Sequence, residues 1–269
     1  MRAVVRMDPG GFHRSTHVTP VRRALEPLFG RDEVVVLHAA TTALGPLGGG
    51  VDAFVDALVT VVRETRATLV VPTFTMHMAH PVTDRTRGDR PSGMGRWVER
   101  LVAHLDARSA HPTESVGALG PRAAEIVSPH PLDEPMGPRS PWARLVAMDA
   151  RIVLLGVGLE RCSLLHHSEC TAEVPYLERT AYMAEIAFDQ RPRLFEVIGN
   201  RCSQGFPRIS AQTSPTEVRV LGAMAHVHRA RTLDLVARQA LARDPAALLC
   251  EGPCPSCDAA RADIARTAR

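Results

Sequence analysis

The chain has 269 residues, 45% of them hydrophobic, and a formal net charge of +3 with acidic and basic residues mixed along its length. This allows one large domain or two small ones, with a sizeable core, and the dispersed charge argues against a nucleic-acid binder, which would concentrate a basic stripe. No apolar stretch approaches the roughly 20 residues that cross a bilayer, and Arg2, Arg6, Arg14, Arg22 and Arg23 flank no continuous apolar run of the kind a signal peptide needs. The expected setting is the cytoplasm, with no membrane contact. There, six cysteines, three of them crowded into Cys250–Cys257, read as metal ligands or reduced thiols before disulfides.

In chain order, Val34-Val35-Val36-Leu37 is a β-branched apolar run, read as a strand buried on both faces. A turn-rich loop follows, with Thr41, Thr42, Gly45, Pro46 and the triplet Gly48-Gly49-Gly50. Asp52 is placed to cap a helix whose apolar residues Phe54, Val55, Leu58, Val59 and Val62 recur at helical spacing to about Arg66. Thr68-Leu69-Val70-Val71-Pro72 is a second buried strand, completing a βαβ unit and implying parallel pairing. His77–Gly95 reads as a long surface loop and Trp97–Leu105 as a helix. Pro121–Ile126 and Pro141–Met148 read as two short helices with proline in the first turn. Arg151–Leu155 is a third buried strand entering the turn Gly156-Val157-Gly158, and a helix is expected to start near Ser163. A further strand is expected through Ala184–Phe188, and Thr232–Arg243 is an amphipathic helix. The expected architecture is α/β: a single compact domain, residues 1–248, with a mostly parallel central sheet flanked by helices. A cysteine-bearing C-terminal tail, residues 249–269, is appended.

Three constellations can carry chemistry. The densest is Cys162-Ser163-Leu164-Leu165-His166-His167-Ser168-Glu169-Cys170, directly after a buried strand, where open α/β sheets place reactive groups. On a helix, Ser163, His166 and Glu169 share a face, so a carboxylate can set the tautomer of a proton-accepting histidine. The plain alternative is a pair of solvent-facing histidines near a helix start. The second is Arg108-Ser109-Ala110-His111-Pro112-Thr113-Glu114-Ser115, able to line a groove with hydroxyls or to be an ordinary loop. The third is His38-Ala39-Ala40-Thr41-Thr42-Ala43-Leu44-Gly45, whose small residues after a strand let a ligand approach backbone amides. Gly-Val-Gly at 156–158 lacks the third glycine of a dinucleotide fingerprint, because Arg161 stands there. Neither a Gly-x-Ser-x-Gly elbow nor a Walker loop occurs.

Separately, Cys250, Cys254 and Cys257 form Cys-x₃-Cys-x₂-Cys, a spacing that lets thiolates converge on a structural Zn²⁺. Cys202 is the first choice for a fourth ligand and His226 or His228 the second; unligated thiols on a loose tail are the alternative. Such an ion is expected to be structural and independent of the chemistry at His166.

In this order the segments resemble the aminoglycoside 3-N-acetyltransferase family. The family's strand followed by His-Ser-Ser-Leu-Ser-x-Leu-Gly is matched by His38–Gly45 with Gly48-Gly49, and its Thr-Leu-x-x-Pro-Thr by Thr68–Thr73. Met94-Gly95 matches its Met-Gly, Arg108–Ser115 its Arg-Ser-x-His-Pro-x-x-Ser, and Ala118 and Gly120 the Ala-x-Gly that follows. Ser140-Pro141, Leu154–Gly158 and the Leu-His-x-x-Glu at Leu165–Glu169 complete the set. Ala39 and Ala40 stand where the family has paired serines, and Cys162-Ser163 where it has Asn-Thr.

The resemblance implies transfer of an acetyl group from acetyl-coenzyme A, the co-substrate, to a small-molecule amine. His166 is then the general base and Glu169 its carboxylate neighbour or a substrate contact. It further implies that His38, Ala39, Thr41, Thr42, Leu44, Gly45 and Thr73, with Arg108, Ser109, His111 and Ser115, hold the coenzyme A arm and phosphates. Glu114, Asp133, Glu134, Glu160, Glu173 and Glu178 are candidates for an acidic wall facing a cationic acceptor. The amine is expected on an aminoglycoside, or on another metabolite of natural-product biosynthesis. Competing readings are a ping-pong mechanism through Cys162 or Cys170, a metal-dependent hydrolase using His166, His167 and Cys170, and a non-catalytic binding protein.

Overall fold

The computed structural model describes residues 19–75, 85–86, 93–185, 192–199 and 202–269. The apolar run at 34–37 is the centre of β1 (Val34–Ala39). Its side chains alternate between two cores. Val34 and Val36 join the cluster that holds Trp142 and Leu145, while Val35 and Leu37 join the one that holds Phe54 and Leu58. β6 (Arg151–Leu155) divides in the same way, with Ile152 and Leu154 on one side and Val153 and Leu155 on the other. A strand with two dry faces needs helices on both, so the period-2 alternation at the sheet centre dictates three layers.

One outer layer is formed by α1 (residues 19–25), α2 (Gly50–Thr65) and α3 (Arg96–Val102), which bury Leu25, Phe54 and Trp97. The other holds α4 (Ala123–Val127), α5 (Pro141–Ala147), α6 (Leu164–Thr171), α7 (Ala230–Arg243) and α8 (Pro255–Thr267). Ser140 caps α5, its hydroxyl accepting from the Ala143 N–H at 3.4 Å, with Pro141 at the first helical position. α2 begins earlier than expected. Gly49 is its cap and Gly50 its first residue, at φ 81° and 65°. Asp52 lies within the first turn, where its charge suits the helix dipole, and pairs with Arg100.

The sheet order is β4-β5-β2-β1-β6-β10-β9, with β2 at Thr68–Pro72, β4 at Ala107–Arg108, β5 at Val116–Leu119, β9 at Thr216–Val220 and β10 at Ala223–Arg229. β1 is parallel to both β2 and β6, with Val36 opposite Val70 and Ile152. Every other pairing in this sheet is antiparallel. The α/β architecture is as expected, but the parallel character is confined to the three central strands and the sheet is mixed. The physical reason is connection length. β9 and β10 are joined by a tight turn, which permits only antiparallel pairing. β9, half solvated and rich in charge, carries no apolar run to betray it.

A second sheet orders β3 (Arg85–Thr86), β7 (Glu178–Glu185) and β8 (Pro192–Gly199). The strand expected at Ala184–Phe188 overlaps the end of β7, and residues 186–188 lie outside the described residues, as do 77–84 and 87–92 of the long loop. Residues 249–269 include α8, whose Cys257 and Ala260 are buried in the same cluster as Leu154 and Leu165. Among the described residues no helix is long and apolar enough to cross a membrane.

Gly120 joins β5 to the turn before α4 at φ +129°. A Cβ there would collide with the Ala67 carbonyl oxygen and stand 2.8 Å from Thr68 Cα, at the start of β2. Gly120→Ala therefore combines backbone strain with a collision against a central strand. It should destabilise the fold by about 2 kcal/mol or more, read as a lower urea midpoint at unchanged m-value.

Candidate active site

α6 starts just beyond the C-terminal end of β6, after the Gly156 turn and a 3₁₀ turn at Leu159–Arg161. His166 and Glu169 are one helical step apart, and His166 Nδ1 lies 2.9 Å from Glu169 Oε2. The Glu169 side chain is 0% exposed while that of His166 is 19% exposed, so the carboxylate is inside and the imidazole reaches the surface of the site. Tyr176, in the loop after α6, donates its hydroxyl to Glu169 Oε1 at 2.8 Å. Burial, and then the Glu169 carboxylate, push the Tyr176 phenol well above its ordinary range, so it remains a donor. With Glu169 accepting the Nδ1 proton, Nε2 of His166 is left as the basic nitrogen. The Phe206 ring lies edge-on to the imidazole, with centroids 4.8 Å apart.

The neighbours of His166 serve packing. His167 is buried, with Nδ1 2.7 Å from the Met136 carbonyl oxygen, and burial lowers its pKa. Ser168 donates to Asp234 on α7 at 2.9 Å, and Asp234 accepts from Arg238, which ties α6 to α7. Cys162 and Cys170 are both pushed up to about 12, chiefly by burial, and for Cys170 also by the carboxylates of Glu169, Glu114 and Glu134. Burial thus favours the protonated thiols, which makes both poor nucleophiles for a ping-pong reaction.

Two cavities bear on the site, the first of them at the C-terminal ends of β1 and β2. This one, about 300 Å³, is lined by His38, Ala39, Ala40, Met94, Trp97 and Arg161 among others. Trp97 Nε1 donates to the Ala39 carbonyl at 3.0 Å and fixes one wall. Burial lowers His38 to about 4, so it is neutral, and among the described residues its Nε2 has no hydrogen-bond partner. Thr41, Thr42 and Leu44 form the adjoining 3₁₀ turn, closed by Gly45 at φ +82°. Leu44 is buried in the core and its carbonyl accepts from Gly222 N.

The second cavity, about 510 Å³, is lined by Glu134, Gly137, Cys170, Thr171 and Glu173 with Val174, Leu177 and Ile198. Cys170 stands one turn beyond His166, so this cavity borders the His166 helix. It gathers Glu134 and Glu173, with Glu114 close enough to act on Cys170.

The other residues singled out in the sequence form an interlocked wall at the end of β2. Thr73 Oγ1 and Ser115 Oγ are 2.8 Å apart, Arg108 donates to both, and Ser115 also donates to the Thr73 carbonyl. Ser109 accepts from Val116 N and lies 2.8 Å from His130 Nδ1. His111 accepts from Glu114 N at 2.9 Å through Nδ1, while its Nε2 is 3.2 Å from the Leu132 carbonyl. Thr73, Ser109, His111 and Ser115 are thus buried and hydrogen-bonded within the chain, and none lines the His38 cavity. Tyr176, Phe206 and His130 were not foreseen. An isolated aromatic in a turn carries no motif, and only the fold brings each to its partner.

The four cysteines expected to share an ion do meet. The sulfurs of Cys202, Cys250, Cys254 and Cys257 all lie within 4.8 Å of one another, with Cys202 and Cys250 3.9 Å apart. Tetrahedral zinc with Zn–S bonds near 2.3 Å requires sulfurs separated by about 3.8 Å. Cys254 caps α8 and is drawn down to about 7, first by the Cys257 backbone N–H at that helix start. His226 and His228 lie on β10 outside this group, with His226 3.6 Å from Glu217.

A doubly covered α/β sheet with a buried carboxylate orienting a histidine beyond its central strands is an arrangement that can move a proton. The comparisons specify the family. A model of the aminoglycoside 3-N-acetyltransferase family matches residues 36–242, and the chain belongs to that family. Aminoglycoside N(3)-acetyltransferase IX of Micromonospora chalcea is 37% identical over 161 residues, covering 53% of this chain and 57% of that protein. Aminoglycoside N(3)-acetyltransferase VII of Streptomyces paromomycinus is 36% identical over 179 residues, covering 60% and 62%. The match thus spans less than two thirds of the length of these curated relatives. Among solved structures, the apoenzyme of aminoglycoside acetyltransferase AAC(3)-IVa superposes with a TM-score of 0.76 at 28% identity over 92% of this chain and 97% of that one.

Removing the Tyr176 hydroxyl leaves one oxygen of a fully buried carboxylate without this donor. Tyr176→Phe should destabilise the fold by about 1–3 kcal/mol, measured by chemical denaturation. A change within about 0.3 kcal/mol would mean that the hydroxyl does not support Glu169.

Proposed function

We propose that this chain moves an acetyl group from acetyl-coenzyme A to an amine of an aminoglycoside, with His166 as general base. The observation that carries the reading is the Tyr176–Glu169–His166 chain, which fixes the imidazole tautomer and leaves Nε2 free to accept a proton. An amine is mostly protonated at neutral pH and must lose one proton, released to solvent, before it attacks. Its nitrogen then bonds to the thioester carbonyl carbon while its second proton passes to His166 Nε2. The tetrahedral centre collapses, the carbon–sulfur bond breaks, and the coenzyme A thiolate leaves and is protonated by the imidazolium. The buried Glu169 carboxylate stabilises that imidazolium while it exists. No covalent enzyme intermediate is needed, in keeping with the raised Cys162 and Cys170 thiols.

Coenzyme A is assigned to the His38–Gly45 segment and its cavity. Thr73 and the Arg108–Ser115 segment, bonded to one another, brace the end of β2 beside that cavity and are not assigned a direct contact with the ligand. The acceptor is assigned to the cavity carrying Glu134 and Glu173, whose charge suits a polycation. A neighbour with a TM-score of 0.72 at 22% identity, over 84% of this chain, was solved as a binary complex with CoASH; it supports the fold and the choice of probe. A metal-dependent hydrolase is less well supported, because His167 is turned to the Met136 carbonyl.

Calorimetry should detect coenzyme A binding in the micromolar-to-millimolar range, and thiol release should depend on an added aminoglycoside. His166→Ala should lower turnover about 10²–10⁴-fold and leave coenzyme A binding largely intact. His167→Ala should change turnover far less. Full activity of a folded His166→Ala variant would remove the assigned base, and an absence of coenzyme A binding would remove the transfer reading altogether.

The four thiols are proposed to hold a structural Zn²⁺, supported by four sulfurs gathered within 4.8 Å of one another, with Cys202 and Cys250 3.9 Å apart. Protein purified without chelator should carry one equivalent of zinc. Four freely titratable thiols in the native state, with zinc well below one equivalent, would defeat the assignment.

A further inference from the structure

The thiol cluster and the His166–Glu169 pair lie close together in the fold, and the chain segments that supply the thiols also supply the walls behind the pair. Cys202 opens the turn that leads to Phe206, where Phe206 N donates to the Ser203 carbonyl. The Phe206 ring, fully buried, covers the His166 imidazole. The same turn is pressed onto the strand of chain that enters Cys250. A Cβ on Gly205 would collide with the Leu248 carbonyl oxygen and the Leu249 carbonyl carbon and reach 2.5 Å from Cys250 N. Arg208 closes this junction with hydrogen bonds to the carbonyls of Ala246 and Leu249 at 2.8 and 3.0 Å. Cys257 is fully buried on α8, in the same apolar cluster as Tyr176, whose phenol donates to Glu169. Arg261 on α8 donates to the Cys250 carbonyl, which binds the helix to the same loop.

We infer that the metal centre at Cys202, Cys250, Cys254 and Cys257 is a positioning device for the catalytic histidine. It fixes Phe206 against the open face of His166 through Cys202, and Tyr176 against Glu169 through Cys257. This inference rests on the two readings just given, the zinc site and the role of His166, and departs from the expectation that the two are independent. The cluster is built from three stretches of chain, at Cys202, Cys250–Cys254 and Cys257. Their mutual contacts are a turn, an extended loop and a helix end, with no β-ladder between them. Such junctions have little intrinsic rigidity, and an ion bonded to all of them supplies it. A small displacement of Phe206 frees the imidazole to leave the line between Glu169 and the acceptor, and misplacement by about 1 Å can reduce a rate by two orders of magnitude.

The test compares wild-type chain with Cys254→Ser, Phe206→Leu and the double variant, all in full-length protein labelled with ¹⁵N-histidine. His166→Ala serves to assign the resonance. Metal content, thermal midpoint, the His166 titration and steady-state rates are read at a temperature where circular dichroism shows each variant folded. Cys254→Ser is expected to lose zinc and to move the His166 midpoint by more than about 0.5 pH units. Its kcat should fall about 10- to 100-fold, with KM for acetyl-coenzyme A within about twofold of wild type. Phe206→Leu should keep its zinc and show a comparable loss, and the double variant should be little worse than either single variant.

A zinc-free, folded Cys254→Ser protein with a wild-type His166 titration and kcat overturns the inference. Should that variant not fold, a zinc-loaded Phe206→Leu protein with unchanged His166 titration and kcat overturns it equally. Wild-type protein without zinc defeats the metal reading and this inference together, as metal analysis shows directly. Wild-type protein inactive on every amine defeats the transfer reading alone, since the histidine titration still reports positioning.

Discussion

The structure turns on one carboxylate. Glu169 is removed from water entirely, and a buried ion of this kind costs several kcal/mol unless its lone pairs are met. Tyr176 meets one oxygen and His166 the other. That requirement fixes much of the surroundings. α6 must begin directly after β6, so that residues three apart fall on one face. The loop after α6 must fold back to bring Tyr176 to a helix it has just left. α6 must not slide, and the Ser168–Asp234–Arg238 link to α7 opposes sliding from the opposite side. Burial first, and then this carboxylate, push the adjacent Cys170 thiol above its ordinary range. One charge thus orients a histidine and acts on a thiol one residue away.

Charge also shows how little a whole-chain average says about a site. The chain is net positive by three, which suits a cationic substrate poorly. Yet the fold collects Glu134 and Glu173 at one cavity, beside Glu114 and Glu169, while many of the arginines sit in surface ion pairs such as Arg63–Asp106 and Arg229–Asp149. A surface pair neutralises itself within a few ångströms and projects little field. Among the described residues, the cavity's lining carries Glu134 and Glu173 and no Lys, Arg or His to offset them.

The three central strands and the helices α2, α5 and α7 were legible because each has a strong apolar period or an end signal. The helix carrying His166 was legible from its place after a Gly-Val-Gly turn. The antiparallel flanks were not, because β4 and β9 are short or half solvated and their pairing is decided by partners far away in sequence. In the candidate site, His166 and Glu169 could be paired from their spacing. Tyr176 and Phe206 could not, since nothing local in a turn reveals a tertiary hydrogen bond or a ring contact. The Arg108–Ser115 segment was read as a row of hydroxyls open to a ligand, whereas burial commits most of them to one another. The thiol spacing foretold a meeting of three cysteines and named the fourth, but not what the cluster would lie against. The C-terminal segment, too polar to suggest packing, contributes a helix to the core through Cys257 and Ala260.

The position of β6 has a consequence for how the molecule comes to exist. Like β2, it has a parallel partner on one side and an antiparallel partner on the other, with Val36 facing Ile152 across one edge and His228 across the other. Those partners come from near opposite ends of the chain, so the middle of the sheet has high contact order and closes late, at the expense of a long loop. During synthesis β6 can dock on β1, but its outer edge stays bare until β10 emerges, with Ile152, Val153 and Leu154 ready to recruit a strand from another nascent chain. The segment that seals that edge is followed at once by α7, which clamps α6, and then by the last three thiols. A chain cut short before residue 223 therefore lacks the strand that seals this edge, and with it α7 and the last three thiols.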